Sequence, residues 1–142
     1  MKKSQISEAT RKTWNSMKVS APILLGVLLL IAFIIEAIPQ NFYEKVFTGH
    51  NILDPVLGAI FGSTATGNPI NSYIIGGELM DQGIGLVTVI AFILSWVTVG
   101  IVQLPAESLM LGRKFALYRN LFSFLTAILI AILTPYTLSL LW

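Results

Sequence analysis

Four long stretches of the chain contain no charged residue, and shorter polar segments separate them. The stretches are residues 19–35, 55–77, 82–106 and 120–142. A helix that crosses the hydrocarbon core of a bilayer, about 30 Å thick, needs about 20 apolar residues, and a charge there costs roughly 2.5–3.5 kcal/mol. The pattern therefore predicts an all-α polytopic membrane protein, with the lipid bilayer as its solvent.

Three of the four stretches predict full transmembrane helices, at residues 20–38, 84–103 and 120–141. The first is expected to begin near Pro22 and the second to stop at Pro105, because proline suits a helix start and disrupts a helix interior. Residues 1–18 are polar and basic. They predict either a helix on the membrane surface or a frayed cytoplasmic tail. Residues 19–142 are then a single transmembrane domain.

The remaining charge-free stretch, 55–77, belongs to the segment 51–80, which is apolar overall but has the sequence GSTATGNPIN at its centre. Such a run of Gly, Ser, Thr, Asn and Pro interrupts a helix. Asn68 suits an N-cap and Pro69 a first helical residue, so a second helix is expected to start there. Backbone without helical hydrogen bonds is tolerated in a membrane only inside protein or beside water. The segment is therefore a re-entrant hairpin or a broken helix that crosses fully.

The distribution of basic residues favours the re-entrant hairpin. With a hairpin, eight of the nine Lys and Arg residues lie on one side, and only Lys45 lies on the other. With a full crossing, the three basic residues of 104–119 join Lys45 on the outer side, against five on the inner side. Because basic residues concentrate on the cytoplasmic side, the prediction is three full spans with the N-terminus inside. An odd number of spans is typical of one half of an inverted repeat.

Hydroxyl and amide side chains at the predicted break form the first candidate site for a substrate: Ser63, Thr64, Thr66, Asn68, Asn71 and Ser72. The N–H groups and the positive dipole end of a helix that starts at Pro69 would add to this site. Such a site suits a small polar or anionic solute. The alternative is that these groups satisfy one another at a structural break.

Further candidates lie on the predicted spans. Glu36 is either a proton relay within the membrane or a headgroup-level carboxylate. Ser95 and Thr98 continue a small, polar helix face with Thr88 and Ala91, which either lines a solute path or packs against another helix.

A second small face comprises Ser123, Ala127 and Ala131. A lone chain is expected to need a partner copy to bury at least one small face, unless the hairpin covers it. Glu107 is expected to pair with Arg113 or Lys114, and Asp54 to cap a helix N-terminus.

Composition excludes several kinds of function. The chain has no Cys and one His, so thiol chemistry and a His-built metal site are excluded, and no cofactor is expected. The net charge of +2 comes from basic residues near predicted membrane flanks, which gives no basis for nucleic-acid binding. With no pair of acids evidently at one depth, we expect no enzymatic activity.

The run from Gly62 to Glu107 resembles one repeat of the predicted-permease family that includes YraQ and the ArsP organoarsenical permeases. The matching elements are the Gly/Pro-rich turn at 62–69, the glycines at 76, 77 and 83, Ala91-Phe92 and Pro105. Family members often carry cysteines in this turn, and this chain has none. The resemblance implies a half-size transporter in the prokaryotic inner membrane.

Three functions follow from these features. The first is a permease-like half-transporter that moves a small polar or anionic solute as a homodimer or larger homo-oligomer. The second is a passive channel that uses the same hairpin as a filter. The third is a membrane scaffold or accessory subunit, in which the polar turn is a buried structural break.

Overall fold

The computed structural model describes residues 3–37, 39–65 and 68–141, and all regular structure in these ranges is α-helical. The helices are α1 (Lys3–Ala37), α2 (Gln40–Val46), α3 (Leu53–Thr64), α4 (Pro69–Asp81), α5 (Leu86–Thr98), α6 (Leu104–Leu111) and α7 (Arg113–Leu141). The all-α prediction is confirmed for the described residues. The chain divides into two compact units, Met1–Ile38, which contains α1, and Pro39–Trp142, which contains the other helices.

Helix α1 has 35 residues and runs without interruption through the boundary predicted between residues 18 and 19. Pro22 lies inside it, so the prediction that the helix begins there is wrong. Its polar half has contacts that stabilise a helix: Lys12 pairs with Glu8 at 2.9 Å, and the Lys18 ammonium lies 5.5 Å from the centre of the Trp14 ring. The predicted frayed tail is therefore a helix in the described residues.

One helix among the described residues, α7, is long and apolar enough to cross a membrane, with a mean hydropathy of 2.0 over its most apolar window. The prediction of three full spans is therefore not supported: of the spans predicted at 20–38, 84–103 and 120–141, only the last corresponds to such a helix in the described residues. Helix α5 has 13 residues, which corresponds to about 20 Å. It ends at Thr98 because Val99 is extended, with φ −105° and ψ 116°. Pro105 lies in the first turn of α6 rather than ending a span.

Helices α3 and α5 run parallel and in close contact. Gly58 faces the Thr88 backbone, and Gly62, one turn further along α3, faces the backbone of Phe92, one turn further along α5. The two helices therefore point in the same direction. Such close approach requires residues without side-chain bulk. Alanines from α3, α5 and α7 meet at the centre of this packing: Ala59, Ala91 and Ala131.

Helices α3 and α4 form a hairpin, because α4 returns antiparallel to α5. Gly76, halfway along α4, packs against Val89 and Ile93, and residues 82–85 join α4 to the start of α5. The predicted break within residues 62–70 is confirmed, since Ala65 and Asn68 are both extended between the two helices. Both ends of the break, the end of α3 and the start of α4, lie beside the C-terminal end of α5.

Helix α7 runs antiparallel to α5, and this arrangement buries both small faces within one chain. On α5, Thr88, Ala91 and Ser95 are at most 4% exposed. On α7, Ala127 and Ala131 are at most 3% exposed. The alternative in which the chain itself covers a small face is therefore correct, and the small faces give no argument for an oligomer.

Candidate functional site

Asn68 caps α4 at the tip of the hairpin. Its side-chain Oδ1 accepts a hydrogen bond from the Ile70 N–H at 3.0 Å, and its carbonyl oxygen accepts one from the Asn71 N–H, also at 3.0 Å. Pro69 has no N–H. The N-cap prediction is confirmed. The expectation that these first-turn N–H groups would be free to bind a solute is wrong, because the capping residue already uses them.

Three of the predicted site hydroxyls also have partners within their own helices. Ser63 donates to the Ile60 carbonyl oxygen at 2.8 Å, Thr64 to that of Phe61 at 2.8 Å, and Ser72 to that of Pro69 at 2.7 Å. Ser63 and Ser72 are buried, whereas Thr64 is exposed. These three side chains therefore stabilise the ends of the break, as the structural alternative predicts. Thr66 lies outside the described residues.

Two other predicted site residues have buried polar atoms without a hydrogen-bond partner in the described part of the chain. They are Asn71 Oδ1 on α4 and Ser95 Oγ on α5. Asn71 is 8% exposed and Ser95 is fully buried. A buried polar atom without a partner costs about 1–3 kcal/mol, so such atoms are usually satisfied by water or by a ligand.

A cavity of about 110 Å³ lies where the tip of the hairpin meets the end of α5; we call it the tip cavity. The hairpin contributes Ala65 and Pro69, and α5 contributes Trp96 and Thr98. The segment after α5 lines it as well, through Val99, Gly100, Val102 and Gln103, so the two non-helical segments of this region face the same space. Among the predicted site residues, Thr98 borders this cavity directly.

A polar network that the sequence did not predict borders the tip cavity. Glu107 on α6 accepts hydrogen bonds from both the Nε and Nη2 atoms of Arg119 on α7, the first at 3.1 Å. Glu107 also accepts one from Asn120 Nδ2 at 3.0 Å. The expected pairing of Glu107 with Arg113 or Lys114 is therefore wrong.

Asn120 joins this network to the non-helical segment after α5. Its Oδ1 accepts a hydrogen bond from the Gly100 N–H at 2.8 Å, and its Nδ2 also donates to the Ala116 carbonyl oxygen at 2.9 Å. Asn120 is only 6% exposed. The only signal in the sequence was its position as a polar residue at the start of a charge-free stretch.

A second cavity, of about 310 Å³, lies at the opposite end of α5, and we call it the far cavity. Its lining includes His50, Asp54, Thr88 and Tyr136. The Asp54 carboxylate is 6% exposed and accepts hydrogen bonds from the N–H groups of Gly49, at 2.7 Å, and Thr48, at 3.3 Å. Asp54 therefore anchors the preceding loop and does not cap α3 as predicted.

The polar face of α5 extends from the far cavity at one end of the helix to the tip cavity at the other. Thr88 lines the far cavity, Ser95 is buried between them, and Thr98 lines the tip cavity. At 1.5 Å per residue, Thr88 and Thr98 are about 15 Å apart along the helix axis. Glu36, the predicted proton relay, is an exposed residue of α1, in the other compact unit.

No protein-family model, no characterised protein and no solved structure matches this chain.

Proposed function

We propose that this chain is a permease subunit that moves a small polar or anionic solute across a prokaryotic inner membrane. In this proposal the solute moves along the polar face of α5 between the far cavity and the tip cavity. Because that face is buried in this structure, α3 or α7 has to move away from it during transport. Support comes from Ser95 Oγ, a buried hydroxyl without a protein partner in the described chain, which lies between two residues that each line a cavity.

The membrane placement that fits this proposal has three crossings and one re-entrant hairpin. Helix α7 crosses fully, and the charge-free residues 19–35 of α1 provide another crossing. Helix α5 provides about 20 Å of the third crossing, and residues 99–103, which include the turn closed by the hydrogen bond from the Gln103 N–H to the Gly100 carbonyl oxygen, continue it. The α3–α4 hairpin enters and leaves on the outer side, and the N-terminus and Arg113 are cytoplasmic. Non-helical backbone such as residues 99–103 is tolerated at membrane depth where it lines a water-filled cavity.

The working unit is a homo-oligomer in this proposal, for a reason that differs from the small faces. Thr64 and Asn68, on either side of the break, are exposed in a single chain. Non-helical backbone that faces lipid leaves polar groups unsatisfied, at a cost of several kcal/mol per group. A second copy of the chain, packed against the surface of the hairpin that would otherwise face lipid, covers these groups.

Solute flux into proteoliposomes tests this proposal. We expect protein-dependent uptake of at least one solute from a panel of acetate, inorganic phosphate, glycine and glycerol. Thr98→Val removes a hydroxyl from the tip cavity at nearly constant volume and should lower that uptake at least threefold. Thr126→Val is the matched control, because Thr126 is also exposed and also donates to the carbonyl four residues earlier, but it lies on α7 and does not line the tip cavity.

Two outcomes contradict the proposal. One is the absence of protein-dependent uptake across the whole panel with folded protein in the vesicles. The other is an equal uptake rate for Thr98→Val and Thr126→Val, because the tip cavity would then not lie on the path.

A further inference from the structure

We infer that the tip cavity binds the oxygen atoms of a small oxyanion, such as a carboxylate or a phosphate, through Trp96 and Arg119. The inference rests on the proposed function and names the chemical class of its solute. It places the binding groups on α5 and α7 rather than on the hydroxyl-rich turn that the sequence indicated.

Trp96 presents a donor that needs an acceptor. Its indole Nε1 is buried and has no hydrogen-bond partner among the described residues. An indole N–H can only donate, so an acceptor atom must come from outside the described protein. Phe92 packs against the ring edge-on, with 5.6 Å between ring centroids, and this contact holds the indole in place. Trp96 is also a lining residue of the tip cavity, and because its Nε1 is itself buried, a ligand oxygen in the cavity reaches the indole N–H when the neighbouring side chains shift to admit it.

Arg119 supplies further donors to the same cavity. A guanidinium has five N–H donors, of which two are used by Glu107. The other donors remain for an acceptor in the cavity, and Arg119 is one of its lining residues. Because Glu107 holds the guanidinium plane in place, the free edge is preorganised for the planar, two-oxygen geometry of a carboxylate.

The surrounding charge also favours an anion. Arg113 and Lys114 lie in the first turn of α7, at the same end of the molecule as Arg119. Pro69, the first residue of α4, lines the cavity, so the positive end of that helix dipole points towards it. A cation is a poor fit, because the Glu107 carboxylate already accepts three hydrogen bonds from Arg119 and Asn120.

The size of the tip cavity limits the ligand to a few heavy atoms. Its volume is about 110 Å³, and one water molecule occupies about 30 Å³ in the liquid. An ion of the size of acetate or phosphate fits this space.

Isothermal titration calorimetry on the full chain in lipid nanodiscs tests the inference, with acetate and inorganic phosphate as anionic probes and methylammonium as the cationic probe. We expect at least one anion to bind and methylammonium not to bind. Trp96→Phe keeps an aromatic ring against Phe92 but lacks the N–H, and should raise the Kd of that anion at least fivefold. Trp14→Phe, on the exposed polar half of α1, is the matched control and should leave the Kd unchanged.

Arg119→Lys provides a second variant that does not depend on the packing of residue 96. It keeps a positive charge opposite Glu107 but loses the planar fork, and should also weaken anion binding. The inference is overturned if neither anion binds, if methylammonium binds instead, or if either folded Trp96→Phe or folded Arg119→Lys binds the anion with the wild-type Kd.

Binding and flux distinguish the two proposals. Anion binding that depends on Trp96, without flux of any solute, contradicts the permease function and leaves the subsite standing. Flux that is unaffected by Trp96→Phe contradicts the subsite alone.

Discussion

Gly58 lies so close to Thr88 that a β-carbon on the glycine would be 2.5 Å from the threonine carbonyl oxygen. One turn further along α3, Gly62 stands in the same relationship to the backbone of Phe92. These two glycines set the distance between the hairpin and α5. The position of the hairpin tip beside Trp96 and Thr98 depends on that distance.

Gly58→Ala should therefore destabilise the protein by about 1–3 kcal/mol, because overpacking forces backbone shifts of that cost. Gly77→Ala is the control: no atom lies within 4 Å of its added β-carbon, and alanine favours a helix interior by roughly 0.5–1 kcal/mol. Thermal unfolding in mild detergent should show a lower midpoint for Gly58→Ala and an equal or higher one for Gly77→Ala. Equal midpoints for Gly58→Ala and wild type would contradict the close packing.

Asn120→Ala should cost about 1–3 kcal/mol, because it leaves the half-buried Gly100 N–H without its acceptor. Ser139→Ala is the control, since Ser139 is exposed and donates only to a carbonyl of its own helix. Its effect should stay within about 0.5 kcal/mol. The stability of both variants is measured from their unfolding, which limited proteolysis monitors. Equal resistance of the two variants would show that Asn120 does not hold the end of α5.

Asn68→Ala should lower solute uptake by more than it lowers the yield of folded protein. Loss of an N-cap costs about 0.5–2 kcal/mol, which a packed bundle can survive, whereas a displaced tip changes the geometry of the tip cavity. Asn68→Asp keeps an oxygen that can accept from the Ile70 N–H, and should retain most of the uptake. Wild-type uptake by folded Asn68→Ala would show that the cap serves structure alone.

Local features of this fold were predictable from the sequence, and features that depend on contacts between helices were not. The interruption before Pro69 follows from the residues at the break, and the small faces of α5 and α7 follow from their helical spacing. The end of α5 at Thr98 could not be predicted, because the segment after it is apolar and uncharged. The non-helical segment that follows is held by the hydrogen bond from the Gly100 N–H to Asn120, twenty residues away.

The candidate site likewise has features that were predictable from the sequence and features that were not. The Asn68 cap was predictable because capping is a property of adjacent residues. The use of the Ser63 and Ser72 hydroxyls by their own helices was not, since the same side chains could equally have faced a solute. Arg119 was missed because its role depends on Glu107, which lies on a different helix and holds the guanidinium beside the cavity.

The most direct test of the account asks on which side of the membrane the two ends of the hairpin lie. The chain has no native cysteine, so His50→Cys, Asp81→Cys and Lys114→Cys each introduce one thiol, at exposed positions before α3, at the end of α4 and at the start of α7. A membrane-impermeant maleimide is added to intact cells and, separately, to inverted vesicles. The account predicts that the thiols at 50 and 81 react only from the outer side and the thiol at 114 only from the cytoplasmic side. Reaction of the thiols at 50 and 81 from opposite sides would contradict the re-entrant hairpin and the solute path that depends on it.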